Sequence, residues 1–377
     1  MRDKELYQIG DLANYLDGES FGLLLDTANA KYNKAAWRKY AAWGEPTIDR
    51  EWKQGKKSVP IMVRASVLGT NSEKPQRNTE GWGAYGGTMP QIGHGFSIDK
   101  SDLIELRKLS ALKDKPFGDS MIDCFIQNSE NMIGGIHTEL SYMVYQAMST
   151  GQILDIAVDG YQYDFKFPIP DENFVSCDTG KNWFNANGTP NENADIIQDF
   201  LDFQDYYTDE LNLDVDHWKV SKKLLKMILR HPSVVKAYCA NKNYFNPDEV
   251  KVDRDELLKW MHDSMDIWAF DVVDYKSRHE EDGKPVLDDP AFDEHNLVAA
   301  SRKYRMFEMK CMEPITKPRQ GMGGLTAADL YHFVEGRISV LNSWTERPIQ
   351  NVVDCELFAG PVFNNVNNVG IATVWEE

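Results

Sequence analysis

No apolar run approaches the roughly eighteen residues that a membrane-spanning helix needs, so no such span is expected in this 377-residue chain. Met1-Arg2-Asp3-Lys4-Glu5 opens the sequence with no apolar segment behind it. That start lacks the plan of a secretory leader, and synthesis and first residence in a cytoplasm are expected. Cysteine is scarce: Cys124, Cys177, Cys239, Cys311 and Cys355 stand far apart, with no C-x-x-C pair. A zinc ribbon and a disulfide framework are therefore not expected, and the five read as small buried hydrophobes in a reducing compartment. Basic charge is also short, with 41 Lys and Arg against 59 Asp and Glu and a net charge of −18. Such a chain is repelled by nucleic acid and anionic lipid. Sequence-reading DNA binding is not expected, whereas enclosing DNA without gripping it is compatible with the charge.

Catalytic signatures are missing too. There is no G-x-S-x-G, no H-E-x-x-H and no G-x-x-x-x-G-K-[ST]. Gly81-Trp82-Gly83-Ala84-Tyr85-Gly86 matches G-x-G-x-x-G letter for letter, but it neither follows a strand directly nor opens a helix, as a dinucleotide loop must. Asn212, Asp214 and Asp216 alternate like the front of a calcium loop. The sixth position is His217 where glycine is required, and no glutamate closes the twelfth. His217 and His231 are too far apart to share a helical turn, and His94 lies in a glycine-rich loop. No catalytic, cofactor-binding or metal-ligating residue is assigned, no cofactor is expected, and the chain does not read as an enzyme. The alternative from another class is a glycosidase-like hydrolase with paired acids. Ten tryptophans and 59 carboxylates permit it, although so many acids make chance pairs certain.

What is present is organised around Gly118 to Pro170. Ile122, Phe125, Ile126, Met132, Ile133, Ile136, Leu140, Met143, Val144 and Ala147 recur at the spacing of a helix that buries one face. Ser120 and Asp123 form a capping pair at its start, and Gly151 sits where a left-handed stop belongs. A hairpin follows, with Leu154, Ile156 and Val158 on one arm, Asp159-Gly160 at the turn, and Tyr161, Tyr163, Phe165 and Phe167 on the return. Pro168 and Pro170 end it. The pair Gly134-Gly135 costs about 1 kcal/mol per glycine within a helix; it reads either as a tolerated weak spot or as a bend or close crossing with another helix.

Before this stretch, Leu6 to Leu16 reads as helical, and Leu23 to Trp43 is rich in alanine and aromatics. Arg50, Lys53, Lys56 and Lys57 form a basic cluster, which is a solvated face or a contact with an acidic neighbour such as another copy. Val59 to Leu68 and Met89 to Ile98 read as strands flanking a glycine-rich loop, together a long two-stranded arm. A short helix starts at Ser101. After the hairpin, Asp171 to Gly188 is a polar loop holding Trp183. Asn193 to Leu211, Val220 to Leu229 (stopped by Pro232) and Asp253 to Asp263 read as helices. Trp268 to Tyr275, Asn296 to Ala300 and Tyr304 to Met309 read as strands, with a turn at Asp282-Gly283 and a loop over Pro314 to Gly324. Arg337 to Leu341, Ile349 to Leu357 and Val369 to Trp375 are the last strands, with an asparagine-rich turn at 364–368.

In this order the α+β chain resembles the tailed-phage major capsid proteins of the Hong Kong 97-like fold. It is most similar to the lambda-type major head protein (major capsid protein E) family. The resemblance rests on Met148-Ser149-Thr150-Gly151 running into the hairpin and Asp164-Phe165-Lys166-Phe167-Pro168-Ile169-Pro170. It rests also on Trp183 ahead of the helix near Asp195, and on Val220 to Arg230 with His231, followed by Trp268 and the Gly283 hairpin. It implies an N-terminal arm at 1–57, an extended loop at 58–100 and a peripheral domain at 101–188 with a spine helix at 118–150. An axial domain at 189–325 and returning peripheral strands at 326–377 complete it, the last turning the C-terminus toward the axial lobe. The implied role is the major capsid protein of an icosahedral virion built of hexamers and pentamers, assembled in the host cytoplasm around double-stranded DNA. Scaffold, portal and decoration proteins are the implied partners, with no membrane. A nanocompartment shell of the same fold is a second form of this reading. Candidate contacts between copies are Trp82 and Tyr85 in the loop, with Arg50, Lys53, Lys56 and Lys57.

Overall fold

The computed structural model describes residues 19–56, 83–102, 104, 115–156, 162–178, 180–242, 253–281, 284–314, 330–346 and 349–375. Its contacts divide the chain into two units, each gathered from three stretches. One holds Met1–Trp52, Thr88–Tyr142 and Glu308–Val362; the other holds Lys53–Gly87, Met143–Phe307 and Phe363–Glu377. These cuts differ from the sequence boundaries. The strand at 91–98 joins the unit of the N-terminal arm, and the hairpin after the long helix joins the unit of residues 189–307. The expected helix at 6–16, the strand at 59–68, the turns at 159–160 and 282–283 and the loop after Pro314 fall outside the described residues.

The long helix is Lys115–Thr150, 36 residues or about 54 Å at 1.5 Å per residue. It starts before the expected capping pair, so Ser120 lies inside it. Met132, Ile133, Ile136 and Leu140 are buried in the first unit, and Met143, Val144, Ala147 and Met148 in the second. From Met132 to Ala147 the stripe read from the sequence is thus a core face in both. Gly151, at φ +69°, ends the helix with its N–H donating to the Ala147 carbonyl at 2.9 Å. A side chain there would meet Ile169 at 2.8 Å. The antiparallel hairpin Gln152–Ile156 and Gln162–Lys166 follows, as the alternation predicts.

Gly134 and Gly135 are a close crossing, although not with another helix. A Cβ on Gly134 would collide with the Tyr32 hydroxyl, and one on Gly135 would come within 2.9 Å of the His94 ring. The visitors come from the 3₁₀ turn Lys31–Lys34 and the strand Gln91–Ile98. That strand has a described neighbour other than its expected partner at 59–68, which lies outside the described residues. It pairs antiparallel with Ile349–Phe363, from Asn351 opposite Ile98 to Phe358 opposite Gln91. This places it in a six-stranded sheet with the path 41–43, 307–311, 349–363, 338–346 and 330–334. The strand Leu330–Val334 was not legible, and the helical turn at Ser101, which follows the strand Gln91–Ile98, takes its cap from Asp99. The Asp99 Oδ1 accepts from the backbone N–H of Ser101 and Asp102 at 2.6 and 2.9 Å.

A polar relay fixes the arm in this unit. Trp37 donates its indole N–H to His137 Nδ1 at 3.1 Å. That leaves Nε2 as the protonated nitrogen of the imidazole, donating to Asn29 Oδ1 at 2.8 Å. Asn29 in turn donates to Glu335 at 2.9 Å, which also accepts from Arg38 at 2.8 Å and from the Trp43 indole at 2.8 Å. Glu335 stands at φ +52° with Gly336 at φ +65°, the two-residue turn geometry that joins neighbouring antiparallel strands. Burial acts to raise the Glu335 pKa, but the Asn29 bond, the Arg38 charge and the Trp43 bond outweigh it and hold the carboxyl below its ordinary range. Burial first, and then the Arg38 charge, lower the His137 pKa to about 4 against a partial offset from Glu335.

The second unit is a five-stranded sheet in the order Phe174–Ser176, Gly370–Thr373, Asn296–Ala300, His217–Ser221 and Ala269–Val273. Residues 296–300 run antiparallel to both neighbours, while the outer pairs are parallel. Helices Ile196–Asp205, Lys222–Ile228, Pro232–Asn241 and Arg254–Met265 start at side-chain caps from Asp195, Ser221, His231 and Asp253. The helix expected from Val220 begins two residues later, because His217 to Ser221 are drawn into the buried strand. Pro232 opens the next helix, a position where its missing N–H costs nothing. Helix 196–205 continues as a π-turn over Tyr206–Glu210. Trp183, Phe200, Tyr207 and Trp218 fill the core, and the Trp183 indole donates to Asp199 at 2.7 Å.

Two outcomes are expected of the first unit. Gly134→Ala, which should gain about 1 kcal/mol from helix propensity, instead lowers stability by about 1–3 kcal/mol through overpacking, read by urea unfolding. His137 titrates near 6.5 unfolded and about 4 folded. The unfolded chain therefore binds the proton first, and stability falls as pH drops through that window, by on the order of 3 kcal/mol at its lower end. His137→Gln, which keeps a donor and an acceptor, should flatten that part of the pH–stability curve.

Candidate assembly surface

Backbone pairing comes first, because an edge strand offers open N–H and C=O groups to another chain. Among the described residues, three sheets have only two strands. They are Glu51–Lys56 with Gly83–Thr88, the hairpin at 152–166, and Arg278–Glu281 with Lys284–Leu287. The first carries the described members of the six candidate contact residues, and the structure treats them unequally.

Arg50, at its foot, is committed inward. Its Nε donates to the Met89 carbonyl at 2.7 Å, and its guanidinium lies 5.3 Å from the Phe358 ring centroid. Lys53 is exposed on the ribbon, and Lys56 is half-buried, its stem 3.3 Å from where a Cβ on Gly83 would stand. Tyr85 donates its hydroxyl to the Phe363 carbonyl at 3.0 Å, and burial pushes its pKa up. Trp82 and Lys57 lie outside the described residues. Arg50 is thus engaged with Met89 and Phe358 of its own unit.

Sequence reasoning missed a second feature. The segment Ser301–Met306, expected to begin a strand at Tyr304, is a loop that precedes the strand Phe307–Cys311. It carries Arg302, Lys303, Tyr304 and Arg305, all exposed. Three bases in four residues of an acidic chain was the available signal. The loop walls a cleft of about 880 Å³ within the second unit, opposite Asn212–Asp214 and the asparagine turn, with Phe363 and Val369 also lining it. The walls are tied down by backbone partners. Asn364 takes its N–H to the Met306 carbonyl at 2.8 Å and its side-chain amide to the Arg305 carbonyl at 2.8 Å. Asn368 accepts from the Asp214 N–H at 2.8 Å and donates to the Asp214 carbonyl at 3.1 Å. Lys303 pairs with the Asp214 carboxylate at 2.7 Å.

Among the described residues no group of three or more His, Cys, Asp or Glu could hold a metal ion, and no helix is long and apolar enough to cross a membrane.

No family model and no curated protein sequence matches the chain. Solved structures do resemble it. One is the capsid of Myoviridae phage XM1, at 11% identity over 90% of this chain and 92% of that one, with a TM-score of 0.44. Another is a phage-related protein of Bordetella bronchiseptica RB50, at 9% identity over 93% and 95%, TM-score 0.44. A third is the cyanophage A-1(L) capsid, at 12% identity over 90% and 92%, TM-score 0.41.

Proposed function

We propose that this chain is a shell subunit whose copies close into the icosahedral capsid of a tailed double-stranded DNA phage. The observation that carries the reading is the set of three two-stranded ribbons. A two-stranded ribbon is marginal alone in water, and its open edges are the surfaces that neighbouring copies can complete. The contacts need not be individually strong, because a closed shell engages many at once. The net charge of −18 keeps such a shell from binding its genome electrostatically. Hexamers and pentamers, scaffold and portal partners, assembly in the host cytoplasm and final residence in the virion belong to the same proposal. The paired-acid alternative finds little support in the cleft, where Asp214 is the one carboxylate in its lining and is already paired with Lys303.

Negative-stain microscopy and sedimentation of the purified full chain test this. Closed particles, tubes or ring-shaped capsomers are expected as concentration rises; a monomer that stays single throughout would overturn it. Deleting residues 72–88 should leave a soluble protein that no longer closes particles.

A further inference from the structure

The described surface carries seven large exposed apolar side chains, and their charge settings divide them. Ile48, Ile104, Leu154, Phe174 and Leu287 each stand within two residues of a carboxylate, namely Asp49, Asp102, Asp155, Glu172 and Asp288. Tyr304, 67% exposed, is the opposite case, with Arg302 and Lys303 before it and Arg305 after it. It stands on the rim of the 880 Å³ cleft. A basic rim over a partly apolar cleft is complementary to an apolar side chain flanked by acids. A copy of this chain supplies several such groups.

One of them is prepared for the part. Ile48 is 87% exposed, yet its turn is not loose. The Thr47 hydroxyl donates to the Asp49 carbonyl at 2.8 Å, and the Glu51 N–H donates to Asp49 Oδ1 at 3.1 Å. Thr47 is tied on both sides of its backbone, donating to the Cys311 carbonyl at 2.9 Å and accepting from the Glu313 N–H at 2.7 Å. A fixed turn that holds an isoleucine out in water forfeits little conformational freedom when it is covered. An ordinary solvent loop has no need of that rigidity.

We infer that the Ile48–Asp49 turn of one copy seats in the cleft beneath Tyr304 of a second copy, with Asp49 facing the Lys303 and Arg305 rim. The inference rests on the shell-subunit reading and names one of its contacts. Knob and cleft are different surfaces, so the contact is heterologous and repeats from copy to copy, as ring closure requires. Lys303 keeps its partner Asp214 within the unit, and Arg305 beside Tyr304 then marks the receiving face on an otherwise acidic molecule.

A charge exchange tests the contact in the full chain. Asp49→Arg and Arg305→Asp should each lower the yield of closed particles roughly tenfold or more, and the double variant should recover most of the loss. The melting temperature of Arg305→Asp should stay close to that of the parent, because the bonds that hold the loop to Asn364 come from backbone carbonyls; Asp49→Arg also removes the acceptor of the Glu51 N–H and should melt slightly lower. Singles that assemble at parental yield, or a folded double variant that does not recover, overturn the contact and leave the shell reading standing. A parent chain that forms no particles overturns both. Should a charge variant fail to fold, mixing Ile48→Cys chains with Tyr304→Cys chains decides the question. Oxidised particles should contain a disulfide-linked pair absent from either variant alone, and particles without it overturn the contact.

Discussion

Backbone hydrogen bonding is the constraint from which this architecture follows. Every buried peptide group needs a partner, and the chain meets that need in three ways. The 36-residue helix satisfies its own groups and needs only a face to bury. The six- and five-stranded sheets satisfy theirs with strands drawn from distant parts of the sequence. The ribbons of 51–56 with 83–88, 152–156 with 162–166, and 278–281 with 284–287 pair one edge of each strand among the described residues, and the proposed shell would complete the others. The exposed apolar residues beside them are small in number, but on turns and ribbons they add area to the same surfaces.

The polar interactions sort by burial. Pairs such as Lys222 with Asp274 lie on the surface, where solvent and salt screen most of their attraction. The Glu335 carboxylate is different: it is half-buried, three donors from the arm converge on it, and losing one removes a hydrogen bond to a charged acceptor, worth about 1.5–3 kcal/mol. In the second unit Lys219, in the buried strand 217–221, donates to Asp271 at 3.2 Å and to His217 at 3.0 Å. His217 in turn donates to Asp216 at 3.0 Å. Burial and the Lys219 charge lower the His217 pKa, and its Nε2 accepts a hydrogen bond from the Lys219 ammonium. Such a chain of partners fixes the register of parallel strands more than it raises stability.

Much of this was legible in the sequence because period and punctuation agreed. The helix stripe from Met132 to Ala147, the stop at Gly151, the hairpin and the strand Asn296–Ala300 all have local signals that tertiary packing reinforces. Gly134-Gly135 left a weak spot, a bend and a crossing all open, and could not name the visitors, since Tyr32 and His94 arrive from segments far away in sequence. Val220 and Ser221 fit a helix by pattern and were taken by the sheet, because a buried central strand outweighs propensity. Arg50 shows the limit for surfaces. Its charge was readable, but not that Met89 and Phe358 would hold it inward. The Ile48 turn and the basic loop were each visible as letters; only the fold showed one to be rigidly exposed and the other to rim a cleft.

The place of the strand Gly370–Thr373 has a consequence for the order of events during synthesis. It lies between 174–176 and 296–300, segments made well before it. Until residue 370 leaves the ribosome, the first of these lacks its neighbour in the sheet and the second keeps an open flank. A nascent chain therefore cannot finish this unit early, and the long wait for a distant strand predicts slow closure of the sheet. This threading keeps the sheet of the unit open until residues 370–373 have been made.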